Sequence, residues 1–303
     1  MTGRSLFAAL LIAGAGSLHL AAPRTAHAEL APSLTAPAPT DLLALDDSLL
    51  GFSGKLRARF LPPVDAVELE RALDAMRRAA PDVATIRPGV AALTVVSMVP
   101  FEAKVSGRMG LYRMGFWPGE IRASRSAAYD NPPGFIQVTQ ANQDLQLSEH
   151  FRLRDFLTKD QFTVWPKYVV LRESLIDKLE LVIAELNVMG HRVGHVQVMS
   201  GFRHPFYNQQ GVGKGGRADD SRHQYGDASD IFVDNDRDGN MDDLDGDRRI
   251  TVRDAEPIIE AVKRVELAHP ELIGGMGRYH ATDAHGPFVH VDVRGTPARW
   301  GGA

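Results

Sequence analysis

The segment PFVHVDV (287–293) does most to limit what this chain can become. Its apolar and polar residues alternate with a period of two, which is the signature of a half-buried strand. Val289, Val291 and Val293 share one face, and Phe288, His290 and Asp292 share the other. Such a strand needs a core under the valines, and it presents an imidazole and a carboxylate on its far side. ASDIFV (228–233) reads as a second strand, with Ala228, Asp230 and Phe232 on one face. HVQVMS (195–200) reads as a third. If the strands at 228–233 and 287–293 are neighbours, Asp230 and His290 converge. His223 precedes a turn containing Gly226 and can fold back toward them. Two imidazoles and one carboxylate make a three-ligand zinc site with a position left open. A His and an Asp seven residues apart also arise by chance in a chain with 11 histidines, so the strand pattern carries the argument.

The surrounding pattern is helical on both sides of these strands. Leu171, Leu175, Leu179, Val182 and Leu186 recur every three or four residues, and Gly190 follows where a C-terminal cap belongs. Pro257 to Ala268 predicts a second helix, with Ile258, Ile259, Val262 and Val265 facing inward. Further upstream the signal is weaker. VELERALDAMRRAA (67–80) predicts a helix within a partly helical stretch, 42–85. VAALTVVSMVPF (90–101) and GFIQVTQ (134–140) predict a small β-rich unit. Residues 29–41 are rich in Ala and Pro and read as a linker. The expected organisation is therefore a leader (1–28), a linker (29–41), an N-terminal region (42–146) and a metal-binding domain (147–303). The expected fold class is α+β, a small antiparallel sheet with helices packed on one side.

Residues 1–28 have the features of a secretory leader. Arg4 gives the positive start, Leu6 to Gly16 an apolar run, and Ala26-His27-Ala28 a small-x-small cleavage site. The expectation is export, to the periplasm or beyond. No later stretch has 18 unbroken apolar residues, so no integral membrane span is expected. The net charge of -4 gives no reason to expect nucleic acid as a partner. There is no cysteine, which excludes disulfides, thiolate metal ligands and a cysteine nucleophile.

Between Asp230 and the second helix lies an acidic insertion, 234–254. Asp234, Asp236, Asp238 and Asp242 occupy loop positions 1, 3, 5 and 9, with Gly239 at position 6. Asp243, Asp245 and Asp247 repeat the spacing, with Ile250 at position 8 and Asp254 at position 12. Both runs resemble the calcium loops of EF-hand and dockerin modules. In the second run Arg248 stands where glycine is usual, and Asp254 is shorter than the usual Glu; both changes should weaken it. Carboxylates this close repel one another unless a cation is present, and all-oxygen donors select calcium over zinc.

SGFRHPFYN (200–208), SRHQYGDASDI (221–231), GGMGRYH (274–280) and PFVHVDVRG (287–295), with Arg299-Trp300 after them, resemble the ordered motifs of the D-alanyl-D-alanine metallopeptidase family. That family shares its fold with the hedgehog signalling domain. The likeness extends upstream through SEHFRLRDFL (148–157) and covers roughly 147–303. The resemblance implies that His223, Asp230 and His290 are zinc ligands. It implies that Arg203 holds the substrate carbonyl and its developing charge, and that Ser221 contacts a substrate amine. It implies hydrolysis of a peptide bond in peptidoglycan peptides, by a carboxypeptidase or an endopeptidase. The chain departs from the family at one point. Many relatives carry a Glu or His two or three residues before the last ligand as general base, and here those positions are Pro287 and Phe288. The remaining candidates are Asp292, His285, Asp283 and His280, with Asp292 preferred because it shares a strand face with His290; Asp292 can instead orient a ligand from behind. Two other readings stay open: a non-catalytic, metal-bound cell-wall binding module, because fold does not fix function, and a calcium-dependent adhesion or scaffold protein.

Overall fold

A computed structural model describes residues 10–11, 51–62, 94–213 and 216–302. The expected linker, the helix at 67–80 and nearly all of the expected leader lie outside these residues. Strand β1 (Ala58–Leu61) pairs in parallel with β2 (Thr94–Ser97), and Leu10–Leu11 adds a short antiparallel pairing to β2. β3 (Val99–Pro100), β4 (Gly134–Val138) and β5 (Lys167–Val169) form a three-stranded antiparallel sheet. Between β3 and β4 sits a one-turn helix, α1 (Pro118–Ile121). The β-rich character expected for 90–140 is present in these short strands.

The larger sheet lies further on. It is built from β6 (Val196–Ser200), β7 (Ala228–Val233), β8 (Gly275–Tyr279), β9 (Phe288–Asp292) and β10 (Ala298–Trp300). The spatial order is β10-β8-β9-β7-β6, antiparallel except for the parallel edge pair β8/β10. Three helices accompany it: α2 (Glu173–Val188), α3 (Pro205–Gln209) and α4 (Ala255–Ala268). The two long helices pack on each other, and α4 lies against β8 and β9. The chain is thus a mixed α and β structure with small sheets. None of the helices among the described residues is long and apolar enough to cross a membrane.

The local reasons match the pattern in the sequence. In α2, Leu175, Leu179, Val182 and Leu186 are all buried, and Gly190 takes a φ of +93° just past the helix end. Leu171 falls before the helix rather than in it, because the helix starts at Glu173. Helix α4 begins two residues earlier than Pro257, since Thr251 and Asp254 form a capping box ahead of it. Val289 and Val291 are fully buried, as the alternation requires.

One feature beneath the sheet was not visible in the pattern. Lys178 of α2 is fully buried, and its Nζ donates to Glu266 Oε1 at 2.7 Å, the Leu272 carbonyl at 3.0 Å and the Asp292 carbonyl at 2.8 Å. Arg299 of β10 reaches the other oxygen of Glu266. This buried network ties β9 and β10 to both long helices. A buried ammonium is tolerated only when its donors are met in this way. Among the described residues the buried apolar side chains form one cluster, so the segments 51–62 and 94–146 share a core with 147–302.

Candidate metal centre

The pairing of β7 with β9 sets Asp230 directly opposite His290. Residues opposite one another across an antiparallel pair have Cβ atoms about 5 Å apart, so the two side chains meet. His290 Nδ1 lies 3.0 Å from Asp230 Oδ1. The backbone register shifts beside Asp230, between Asp230 and Ile231 on the β6 side. Such a bulge re-aims a side chain.

His223 comes from a 3-10 turn, Arg222–Tyr225, closed by Gly226 at a φ of +67°. A Cβ on Gly226 would sit 2.3 Å from the Val170 carbonyl oxygen, so only glycine fits. The turn is held from three sides. Arg203 N–H donates to the His223 carbonyl (3.1 Å), Arg172 N–H to the Gly226 carbonyl (2.8 Å), and the buried Trp117 indole to the Gln224 carbonyl (2.8 Å). Trp117 belongs to the N-terminal region, which therefore helps place His223. His223 Nε2 lies 3.2 Å from both His290 Nδ1 and Asp230 Oδ1.

These three distances test whether a metal fits. Zinc with bonds of about 2.05 Å in a tetrahedron puts its ligand atoms about 3.3 Å apart. The three observed separations are 3.2, 3.2 and 3.0 Å. The outward nitrogens support the same conclusion. His223 Nδ1 is 2.6 Å from the Gly201 carbonyl, which can only accept, so Nδ1 carries a proton and Nε2 keeps its lone pair. His290 Nε2 is 3.0 Å from Asp292 Oδ2, which leaves Nδ1 facing the cluster. Acceptors that face one another at this range are relieved by a proton or a metal ion between them. His223, Asp230 and His290 are all buried and can together hold a metal ion.

Burial pushes His223 down to about 4, helped by the nearby Arg203 charge, so its imidazole is neutral and ready to ligate. Burial works against the charge on Asp230, but His223, His290 and Arg203 outweigh it and hold the carboxyl well below the usual range. Burial likewise opposes a charge on His290, while its contacts with Asp230 and Asp292 raise its pKa.

Asp292 sits behind His290 and not among the three facing donor atoms. It is fully buried and touches His290 on the ring edge away from the cluster. Its Oδ1 accepts the Gly275 N–H (2.6 Å) and the Arg294 N–H (3.1 Å), and Arg294 also forks its guanidinium onto both oxygens. Burial raises its pKa, but His290 and Arg294 outweigh this and hold it far below the usual range. Those contacts suit Asp292 to orienting His290, the alternative to its role as base. The signal for this was Arg294, two residues on in the same strand pattern.

His285 lies in the loop above, half-buried, with its ring 5.0 Å from Phe288. Its Nδ1 is 2.8 Å from the Gly286 carbonyl, so Nδ1 donates and Nε2 holds the lone pair. His280 and Asp283 are exposed. Phe288, which stands near the expected base position, stacks on Tyr279 with ring centroids 4.5 Å apart. Trp300 donates its indole N–H to Tyr279 Oη (2.8 Å), and its ring lies 5.1 Å from His290. Gly277, opposite His290, admits that indole: a Cβ there would fall 2.1 Å from Trp300 Nε1. Tyr279 was missed as a site residue, although it shares the strand face of Phe288 and His290.

Arg203 follows β6 and is mostly buried. Its guanidinium lies 3.8 Å from Asp230 Oδ2, and its buried Nε has no hydrogen-bond partner among the described residues. Ser221 is the N-cap of the His223 turn, but its side chain makes no capping bond there.

The acidic insertion folds into two carboxylate groups, Asp234/Asp236/Asp242 and Asp243/Asp245/Asp254. Asp238 and Asp247 fall outside both and accept the backbone N–H groups of Asn240 and Arg249. Arg248 adopts the left-handed φ of +64° that its glycine-like position demands. No family model, curated protein or solved structure matches the chain, so its reading rests on this geometry and on the motifs quoted above.

Proposed function

We propose that the chain is an exported zinc-dependent peptidase acting on peptidoglycan peptides, of the D-alanyl-D-alanine carboxypeptidase or endopeptidase type. The observation that carries this reading is the cluster of His223 Nε2, Asp230 Oδ1 and His290 Nδ1 at zinc-ligand spacing, with both outer imidazole nitrogens already engaged. Two nitrogens and one oxygen are a donor set that suits zinc and leaves a position open. When bound, zinc supplies a Lewis acid that polarises a carbonyl and acidifies water.

The chain's own residues supply the rest. Arg203, with an unpartnered buried Nε, holds the scissile carbonyl and meets the negative charge that grows on its oxygen. Asp292 and the Gly201 carbonyl fix the two imidazoles. His285 Nε2 takes and returns the proton. Ser221, free of any capping role, accepts the substrate amine. Tyr279, Phe288 and Trp300 form an aromatic wall beside His290.

The test is to incubate purified protein with peptidoglycan peptides, with and without zinc, and to separate the products. Zinc-dependent release of D-Ala or of cleaved cross-links is expected. Tight peptide binding with no turnover in either condition would instead support a binding module.

A further inference from the structure

The two halves of the acidic insertion differ in how their charge is balanced. In the second half, Arg253 pairs with Asp245 at 3.2 Å and with Asp247 at 3.7 Å. Asp254 there accepts N–H groups from Leu244, Asp245 and Thr251. In the first half, Asp234, Asp236 and Asp242 bring carboxylate oxygens within 4.8 Å of one another. Among the described residues no Lys, Arg or His side chain pairs with any of the three. Asp242 Oδ2 accepts from Asn235, and Asp234 Oδ2 accepts the Gly239 N–H at 3.2 Å.

Asp234 supplies the observation that separates a site from a mere acidic cluster. It is 2% exposed, and its Oδ1 is buried without a hydrogen-bond partner among the described residues. A buried carboxylate oxygen that meets neither a donor nor a counter-charge is costly. Two more carboxylates beside it add repulsion. A cation removes both penalties at once.

We propose that Asp234, Asp236 and Asp242 bind one calcium ion, with Asp234 as the buried ligand. Hard oxygen donors select calcium or magnesium over zinc. A set supplied by a loop, rather than a rigid cage, tolerates calcium's larger and looser shell. The ion sits next to two parts of the metal centre. Asp234 directly follows β7, which carries Asp230, and Asp242 N–H donates to the Val233 carbonyl at the end of that strand (2.9 Å). Asp236 and Asp242 also line a cleft of about 640 Å³ whose other wall is Ala281, Gly286 and Pro287, the loop that carries His285. Calcium therefore fixes the end of β7 and one wall of this cleft. The assignment does not rest on the peptidase reading, because binding is measured directly.

The test is calorimetric titration of the full zinc-loaded chain with calcium chloride, with a magnesium chloride arm. Asp236→Asn and Asp245→Asn proteins run in parallel; Asp236 is exposed, so the first substitution spares the core. The native protein is expected to bind calcium and to melt roughly 5–10 °C higher at a hundredfold excess over Kd. Asp236→Asn is expected to weaken binding by about tenfold or more, and Asp245→Asn to leave that site intact. No calcium heat and no melting shift would overturn the proposal. So would an equal effect of magnesium, or loss of binding in Asp245→Asn but not in Asp236→Asn.

Discussion

The β7/β9 centre and the acidic insertion begin four residues apart, at Asp230 and Asp234, yet their donor atoms differ. In the centre, strand register sets the ligand positions, and each imidazole is locked from behind by a carbonyl or a carboxylate. In the insertion the donors are all oxygen, and successive Asp side chains shape the loop by accepting backbone N–H groups. Two nitrogens and one oxygen suit zinc in the first region, and hard oxygen donors suit calcium in the second. The comparison teaches that strand register alone can bring imidazole and carboxylate donors together. A loop of carboxylates balances its own repulsion only by taking up a cation or by recruiting an arginine such as Arg253.

The sharpest way to break this contrast is to remove a ligand on the sheet side. Asp230→Ala is expected to abolish hydrolysis, because three protein ligands leave none to spare; product analysis at saturating substrate checks it. Next in size is His285→Ala, expected to lower kcat by roughly 10²–10⁴-fold with zinc retained. Near-normal turnover would move the proton-transfer role to Asp283 or His280. Arg203→Lys keeps the charge but loses the planar fork, and kcat is expected to fall on the order of 100-fold. Unchanged kinetics would make Arg203 a partner of Asp230 only. Smallest is Asp292→Asn, expected to weaken zinc binding by about 10–100-fold, with activity recovering as zinc is raised. Activity that stays lost at saturating zinc would restore Asp292 as the base.

Much of the sheet-side centre was legible because strand periodicity is local. The alternation in 228–233 and 287–293 placed Asp230, His290 and Asp292 on their faces before any pairing was known, and the pairing then followed that pattern. The two roles open to Asp292 were legible, but the contacts that Arg294 and Gly275 make with it were not, since they close around it only in the folded sheet. Nor was the support of the His223 turn by Trp117, a contact spanning 107 residues. The buried Lys178 hides inside an amphipathic pattern that would normally place lysine in water. In the insertion the sequence already marked the second loop as the weaker, through Arg248 and Asp254. Only the structure shows Arg253 serving one and an unpartnered Asp234 oxygen in the other.

The central claim is that the nitrogen-bearing cluster, and not the acidic loops, holds the zinc. Zinc per chain, measured after exhaustive dialysis of native, His290→Ala and Asp236→Asn proteins, tests it most directly. The expected result is one zinc in the native and Asp236→Asn proteins and none in His290→Ala. Stoichiometric zinc in His290→Ala, or its loss in Asp236→Asn, would contradict it.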